Sequence, residues 1–257
     1  MARVIDLHTH ILPGLDDGAR TLEESVAMAR SAVADGVRVM AATPHVRDDY
    51  PTRAIEMEQG LAQVREALAL EGVALEVLPG GEIALDRLAV LEADELARLG
   101  LAGNPQYLLL EFPYFGWPLD LETRVFELRR NGFAIVLAHP ERNTEVQAAP
   151  ERLRPLVERG TIVQLTSASV DGRLGRNCKQ SAFRLLQLGI AHLIASDAHA
   201  PDVRAVGMSR AADAVGDVAL ARWLTEEMPA AIMAGEVTPT RPLTRRPGFR
   251  RAFRKRR

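Results

Sequence analysis

The chain is poor in several things, and each shortage excludes something. Only one of its 257 residues, Cys178, is a cysteine, so no internal disulfide can form and no thiolate metal frame is available. With no Cys/His signature around it, Cys178 is expected to be a small packing residue, in keeping with a reducing, cytoplasmic setting. A cysteine-dependent phosphatase loop is not expected around it. Aromatics make up only 5%, so the core has to come from Leu, Val, Ile and Ala within a hydrophobic share of 47%. No apolar run approaches the length of a membrane span, and the N-terminus lacks a basic-then-apolar leader pattern. No sequence repeat is present.

Charge is nearly balanced at −2, but unevenly placed. The stretch 241–257 holds nine Arg or Lys and no acid, which leaves −11 on the 240 residues before it. We therefore expect one domain over residues 1–240 and a basic, flexible tail over 241–257. The tail has the charge to meet a membrane surface or an acidic partner; a solvated end is the simpler expectation, and no nucleic-acid partner is expected.

What the chain does have is a distinctive placement of histidine. The first apolar run, Val4-Ile5, leads into Asp6-Leu7-His8-Thr9-His10, with Asp16-Asp17-Gly18 just behind. His-x-His at a strand end, with two carboxylates close by, is a donor set for a divalent ion. The other histidines repeat the position. Ala41-Ala42-Thr43-Pro44-His45 follows the run 37–40, Ala138-His139 follows 134–137, and Ser196-Asp197-Ala198-His199 follows 192–195. Glu82 and Glu111 also stand just past strand-like runs. His192 begins its run instead of ending it, and is expected to be structural or on the surface. Carboxyl ends of parallel strands converge on one face of a β/α barrel, so one polynuclear metal site accounts for all of these positions together.

Punctuation sets the elements between. Thr21 with Glu24 three residues on has capping-box spacing, and Asp35-Gly36 stops the helix it opens. A second helix is predicted from Arg53 to Leu70 with Ile55, Leu61, Val64 and Leu68 facing inward. Further helices are expected over 119–131, 150–159 and 177–188, with helix continuing to about Gly235. Gly80-Gly81-Glu82 reads as a turn. Strands are expected from Val4-Ile5 up to the His-x-His, and near 37–42, 74–78, 107–111, 133–138, 161–165 and 191–196. Seven strand–helix alternations predict parallel strands closed into a barrel.

These residues resemble a known family. Asp6-Leu7-His8-Thr9-His10, Thr43-Pro44-His45, Gly81-Glu82-Ile83, Glu111-Phe112-Pro113, His139-Pro140-Glu141-Arg142 and Ser196-Asp197-Ala198-His199 look like the PHP (polymerase and histidinol phosphatase) metal-dependent phosphoesterases. Within that superfamily, Leu15-Asp16-Asp17-Gly18 and the run from Gln164 to Gly172 point to the manganese-dependent tyrosine-protein phosphatases of bacterial capsule and exopolysaccharide clusters. The resemblance runs from about residue 5 to 235. It implies a distorted (β/α)7 TIM-like barrel of PHP fold holding three divalent ions, Mn²⁺ by family and Fe or Zn²⁺ by ligand chemistry. It places His8, His10, Glu82 and Asp197 on the first ion, and Asp17, His45 and His199 on the second. Glu111 and His139 take the third, with Glu82 bridging. Asp16 is expected behind the ligands or in the turn.

Arg142 and Arg204 match the family's phosphate-facing arginines. The arginine fork suits two phosphate oxygens at once. Asn143 departs from the pattern, since an aromatic residue commonly follows this motif, and the substrate-side wall is where that departure falls. Tyr114, Phe115 and Trp117 are candidates for a wall around an aryl phosphate. The implied activity is hydrolysis of phosphotyrosine on a protein, a kinase tail governing polysaccharide synthesis or export, by metal-activated hydroxide. The alternatives are a small-molecule phosphatase, histidinol phosphate being the obvious substrate, and, further off, a metal-dependent amidohydrolase.

Overall fold

A computed structural model describes residues 3–202 and 204–243. The strands are β1 (Val4–Thr9), β2 (Val37–Ala42), β3 (His45–Val46), β4 (Glu76–Leu78), β5 (Glu82–Ala84), β6 (Tyr107–Glu111), β7 (Ala134–Ala138), β8 (Ile162–Thr166) and β9 (Leu193–Ala195). Between and after them run α1 (Leu22–Ala34), α2 (Ala54–Leu70), α3 (Ala93–Arg98), α4 (Leu121–Arg130), α5 (Thr144–Ala148), α6 (Arg154–Glu158), α7 (Ser167–Asp171), α8 (Arg176–Leu188), α9 (Met208–Val215), α10 (Val218–Arg222) and α11 (Met228–Ala234), with a π-helical turn at Trp223–Glu227 before α11. The fold is α/β, and every ladder between named strands is parallel.

Seven strands were expected and nine are present among the described residues, for a local reason. The ladder order is β1-β2-β4 in one sheet and β3-β5-β6-β7-β8-β9 in the other. β2 and β3 are separated by Thr43-Pro44, and β4 and β5 by Pro79-Gly80-Gly81. A proline has no N–H to donate, so each pair is one strand path broken where the ladder loses its donor. The Glu82 N–H still bonds the Pro44 carbonyl across the break at 3.0 Å. The turn expected at Gly80-Gly81-Glu82 is not formed: Gly80 and Gly81 are irregular chain between the two strand pieces, and Glu82 opens β5. At the far side, the chain after β9 bonds back to β1. Asp197 N–H donates to His8 O at 2.8 Å, and His10 N–H to Ala198 O at 2.9 Å.

Parallel strands covered by helices are buried on both faces, which is why β2, β7 and β8 read as nearly unbroken apolar runs. β1 differs. Ile5 and Leu7 point one way, while Asp6 and His8, with His10 just beyond, take the alternate positions and share the other face. Thr21 caps α1 by accepting from the Glu24 N–H, but Glu24 takes the Arg20 N–H instead of completing the expected box. In α2 the predicted stripe is corrected at one place. Ile55 is 40% exposed, and Met57, two residues on, is in the core with Leu61, Val64 and Leu68. The helix expected over 150–159 begins as a 3₁₀ turn, Pro150–Leu153, because Pro150 and Pro155 both constrain its start.

The bounds of the tail also shift. Trp223 Nε1 donates to Pro239 O at 3.0 Å, and Arg241 Nη2 to Leu186 O at 2.7 Å. Arg241, expected as the first tail residue, packs against the body of the protein. Residues 244–257 lie outside the described residues.

Candidate metal centre

β1 and the loop after it build half of the site. His8 Nδ1 meets Gln164 Oε1 at 2.9 Å, and His10 Nδ1 meets Asp16 Oδ2 at 2.6 Å. Oxygen acceptors on the two Nδ1 atoms set the tautomer, so neutral rings turn their Nε2 lone pairs to one point. The two Nε2 atoms are 3.2 Å apart. Glu82 Oε2 stands 3.3 Å from His8 Nε2 and 3.5 Å from His10 Nε2, and Asp197 Oδ1 stands 3.5 and 3.4 Å from the same atoms. Glu82 Oε2 and Asp197 Oδ1 are both buried with no hydrogen-bond donor. Each carboxylate oxygen faces both imidazole nitrogens, and with neutral rings such acceptors repel one another unless a proton or a metal ion joins them. Ligands about 2.1 Å from one ion stand roughly 3.0–3.4 Å apart in octahedral or tetrahedral shells, so the spacing of His8, His10 and Glu82 fits a divalent ion, with Asp197 beside that compact group.

A second group lies beside the first. Asp17 Oδ1 is 3.4 Å from His45 Nε2 and 3.3 Å from His199 Nε2. His199 Nδ1 donates to the Asp197 carbonyl at 2.9 Å, which frees Nε2, itself buried and unbonded. His10 closes this group as well. The third is formed by His45, Glu82 and Glu111, with His45 Nδ1 2.9 Å from Glu82 Oε2 and 3.9 Å from Glu111 Oε2. His139 reaches the centre from the other Glu82 oxygen, Nε2 to Oε1 at 2.8 Å, and its Nδ1 is buried without a partner. Glu111 and His139 thus both converge on Glu82; among the described residues, the compact groups contain Glu111 but neither His139 nor Asp197.

The loop 11–19 is shaped by Gly18. A Cβ there would lie 2.1 Å from the His10 carbonyl oxygen, so only glycine lets the chain pass. The close pass brings Asp16 under His10, where it also accepts the N–H groups of Gly18 (2.9 Å) and His45 (2.9 Å). Asp16 is thereby an orienting group, as expected, and Asp17 is left facing the imidazoles.

Electrostatics carry the same demand for positive charge. Burial works against protonating His10 and His45, yet Asp16 lifts His10 to about 9, and Glu82 with Asp17 lifts His45 to about 10. Burial likewise opposes charge on Glu82 and Asp197, but the imidazoles hold both carboxylates well below the usual range.

Arg142 and Arg204 approach from the open side, and both end on Asp197 Oδ2 at 2.7 Å. Glu141 is turned inward and accepts the Thr166 N–H at 3.0 Å. Sequence reading passed over Arg47, whose Nη1 donates to Glu111 Oε1 at 3.0 Å. Its position two residues after His45, on the same face of the chain, was the available signal. Gln164 was missed too, although a buried amide inside an apolar strand needs a partner. Beyond Glu111 and Arg47 opens a cleft of about 460 Å³.

Two smaller expectations resolve. His192 is structural, its Nδ1 accepting the Val163 N–H at 3.0 Å. Counted out, Cys178 and Arg184 do have Cys-x5-Arg spacing, so spacing alone does not discount a cysteine phosphatase loop. Their place inside α8 does, because a regular helix turns its N–H groups along its axis and cannot cup an anion around the thiol. Burial also pushes the Cys178 thiol up, away from a thiolate.

A parallel α/β scaffold whose strand ends gather histidines and carboxylates, with arginines on the open side, defines a metallohydrolase-like site. A family model for capsular polysaccharide synthesis, CpsB/CapC, matches residues 4–226, and the chain belongs to that family. It is 39% identical to the tyrosine-protein phosphatase YwqE of Bacillus subtilis (strain 168) over 198 residues, 76% of this chain and 77% of that protein. It is 30% identical to the tyrosine-protein phosphatase CpsB of Streptococcus pneumoniae over 220 residues, 82% of this chain and 89% of that protein. Among solved structures, one from a study of YwqE and CpsB as metal-dependent tyrosine phosphatases superposes with a TM-score of 0.83 at 32% identity, covering 94% of this chain and 100% of that one. A zinc-bound amidohydrolase from Burkholderia ambifaria shares the fold alone, at a TM-score of 0.52 and 13% identity.

Proposed function

We propose that the protein is a metal-dependent phosphatase that hydrolyses phosphotyrosine on a protein, a tyrosine kinase of polysaccharide synthesis or export being the fitting substrate. The observation that carries this reading is that Glu82 Oε2 and Asp197 Oδ1 each stand 3.3–3.5 Å from both His8 Nε2 and His10 Nε2, beneath two arginines. Membership of the capsule family, and relatives named as tyrosine phosphatases, support the substrate class over histidinol phosphate or an amide.

In this reading His8, His10, Glu82 and Asp197 hold one divalent ion. Asp17, His45 and His199 hold a second, and Glu111 and His139 serve a third with Glu82. Mn²⁺ is the proposed metal, with Fe or Zn²⁺ compatible with the donors. Such ions supply positive charge to the phosphoryl group and acidify water, so that hydroxide is available near neutral pH. The chain does the rest. Asp16 and Gln164 hold the His10 and His8 rings in one orientation. Arg142 and Arg204 each spend one N–H on Asp197 and keep their other donors for the non-bridging phosphate oxygens. No side-chain nucleophile is required.

We infer that the two sheets together form a distorted seven-unit barrel. The broken strand paths at Pro44 and Pro79, and the bonds from Asp197 and Ala198 back to β1, support closure. Residues 1–240 then form one catalytic domain, with the basic segment after it as an accessory tail. No helix among the described residues is long and apolar enough to cross a membrane, and a cytoplasmic location is proposed.

The test is hydrolysis of p-nitrophenyl phosphate by metal-stripped protein with Mn²⁺, Zn²⁺ or Mg²⁺ returned singly, then of a phosphotyrosine peptide against histidinol phosphate. Metal-restored turnover that favours the peptide is the expected result. Hydrolysis of histidinol phosphate alone would overturn the substrate class.

A further inference from the structure

Asn143 directly follows the His139-Pro140-Glu141-Arg142 segment, and the structure gives it a job. It is buried, and its Nδ2 donates to two carbonyls of the loop after β6, Pro113 O at 2.7 Å and Gly116 O at 2.8 Å. Its Oδ1 accepts the N–H groups of Glu145 (2.8 Å) and Val146 (3.0 Å) and so caps α5. The next residue adds a third tie, Thr144 N–H to Tyr114 O at 3.1 Å. Three bonds thus fix three carbonyls of a four-residue loop. Tyr114 sits inside that loop, with its ring 4.5 Å from the Arg142 Cζ and stacked 5.7 Å from the His139 ring. The other loop aromatics are elsewhere. Phe115 is 78% exposed, and Trp117 packs on Phe112 and under Arg152.

Arg142 is therefore gripped on two sides, by Asp197 Oδ2 and by the Tyr114 ring. A guanidinium lying on an aromatic face keeps its N–H edges free. We propose that Tyr114, locked by Asn143, is a positioning residue that acts through Arg142, holding the guanidinium where its unspent N–H groups meet the phosphate. The inference rests on the reading of Arg142 as a phosphate-binding group.

The experiment is steady-state hydrolysis of p-nitrophenyl phosphate by the metal-loaded full chain, with KM and kcat resolved. Tyr114→Leu removes the ring and is expected to raise KM about 3- to 30-fold, the span of a cation–π contact, with a smaller change in kcat. Tyr114→Phe, which keeps the ring, is expected to restore most of that loss. Asn143→Asp keeps the cap on α5 but loses both donors to the loop, and is expected to reproduce the KM change. In an Arg142→Ala background, Tyr114→Leu is expected to add nothing further. The inference is overturned if Tyr114→Leu leaves KM unchanged, if Tyr114→Phe is as impaired as Tyr114→Leu, or if the Tyr114→Leu effect persists at full size without Arg142. An Arg142→Ala protein that is folded and as active as the parent would instead overturn the underlying phosphate-site reading, so the two failures are told apart.

Discussion

Arg142 and Arg204 donate to the same oxygen of Asp197, each at 2.7 Å, while the other oxygen of that carboxylate faces His8 and His10. One side chain therefore joins the proposed metal pocket to the proposed phosphate pocket. The backbone bears a cost for this. Asp197 at φ 53° and Arg204 at φ 51° are both left-handed, as is His139 at φ 39°. Non-glycine residues in that region are held there by their surroundings, and they gather at functional sites.

Arg142→Ala and Arg204→Ala should each lower kcat/KM for an aryl phosphate by about 10²–10³, the usual cost of losing one donor to developing charge. Because both lean on Asp197, the double variant should lose less than the product of the two. Single losses below twofold would show that these arginines serve only to neutralise Asp197.

Gly18→Ala tests the loop that carries Asp16 and Asp17. The added methyl would collide with the His10 carbonyl, and the strain should cost about 1–3 kcal/mol of stability. Activity should fall more than stability does, since the displaced loop takes an orienting group and a proposed ligand with it. A variant with parent-like unfolding and turnover would mean that the loop adapts.

Chelation should abolish hydrolysis and lower the unfolding temperature, because an ion bound only by the folded chain stabilises it. Cys178→Ser should keep parental turnover, which a cysteine-dependent phosphatase could not. His45 borders two of the three groups, so His45→Ala should retain less metal than Asp17→Asn when the ions are counted by elemental analysis. Equal retention by both would argue against His45 lying between two ions.

His192 offers a pH test away from the site. Burial, aided by Arg241, depresses it to about 4 from 6.5, so the folded chain holds it neutral while the unfolded chain protonates it. Its stability contribution is present above pH 6.5 and is lost as pH falls toward 4, to the extent of roughly 3 kcal/mol. His192→Gln should flatten that part of the stability–pH curve, measured by denaturant unfolding of metal-stripped protein. An unaltered slope would remove His192 as its source.

Much of the site was legible because it is written locally. His-x-His at strand spacing puts both rings on one face whatever the rest of the chain does, and apolar runs ending in His or acid mark strand ends. The Thr21 cap is equally local. Arg47 and Gln164 were not legible as partners. Each acquires its role from a residue on another strand, Glu111 and His8, and a sequence carries no distance between strands.

The sequence by itself determined the donors, their alternation along each strand, and the parallel α/β plan, because side-chain chemistry and backbone period are properties of short segments. Tertiary structure alone decided which donors share an ion-sized gap. Ser196 bonds Asp6 across 190 residues, and His8 meets Gln164 across 156. Those meetings depend on ladder register, on where Pro44 and Pro79 interrupt it, and on the return of the last strand to the first. Asn143 shows the same division. Its identity was plain in the sequence, but only the packed loop reveals that its amide holds Tyr114 beside Arg142.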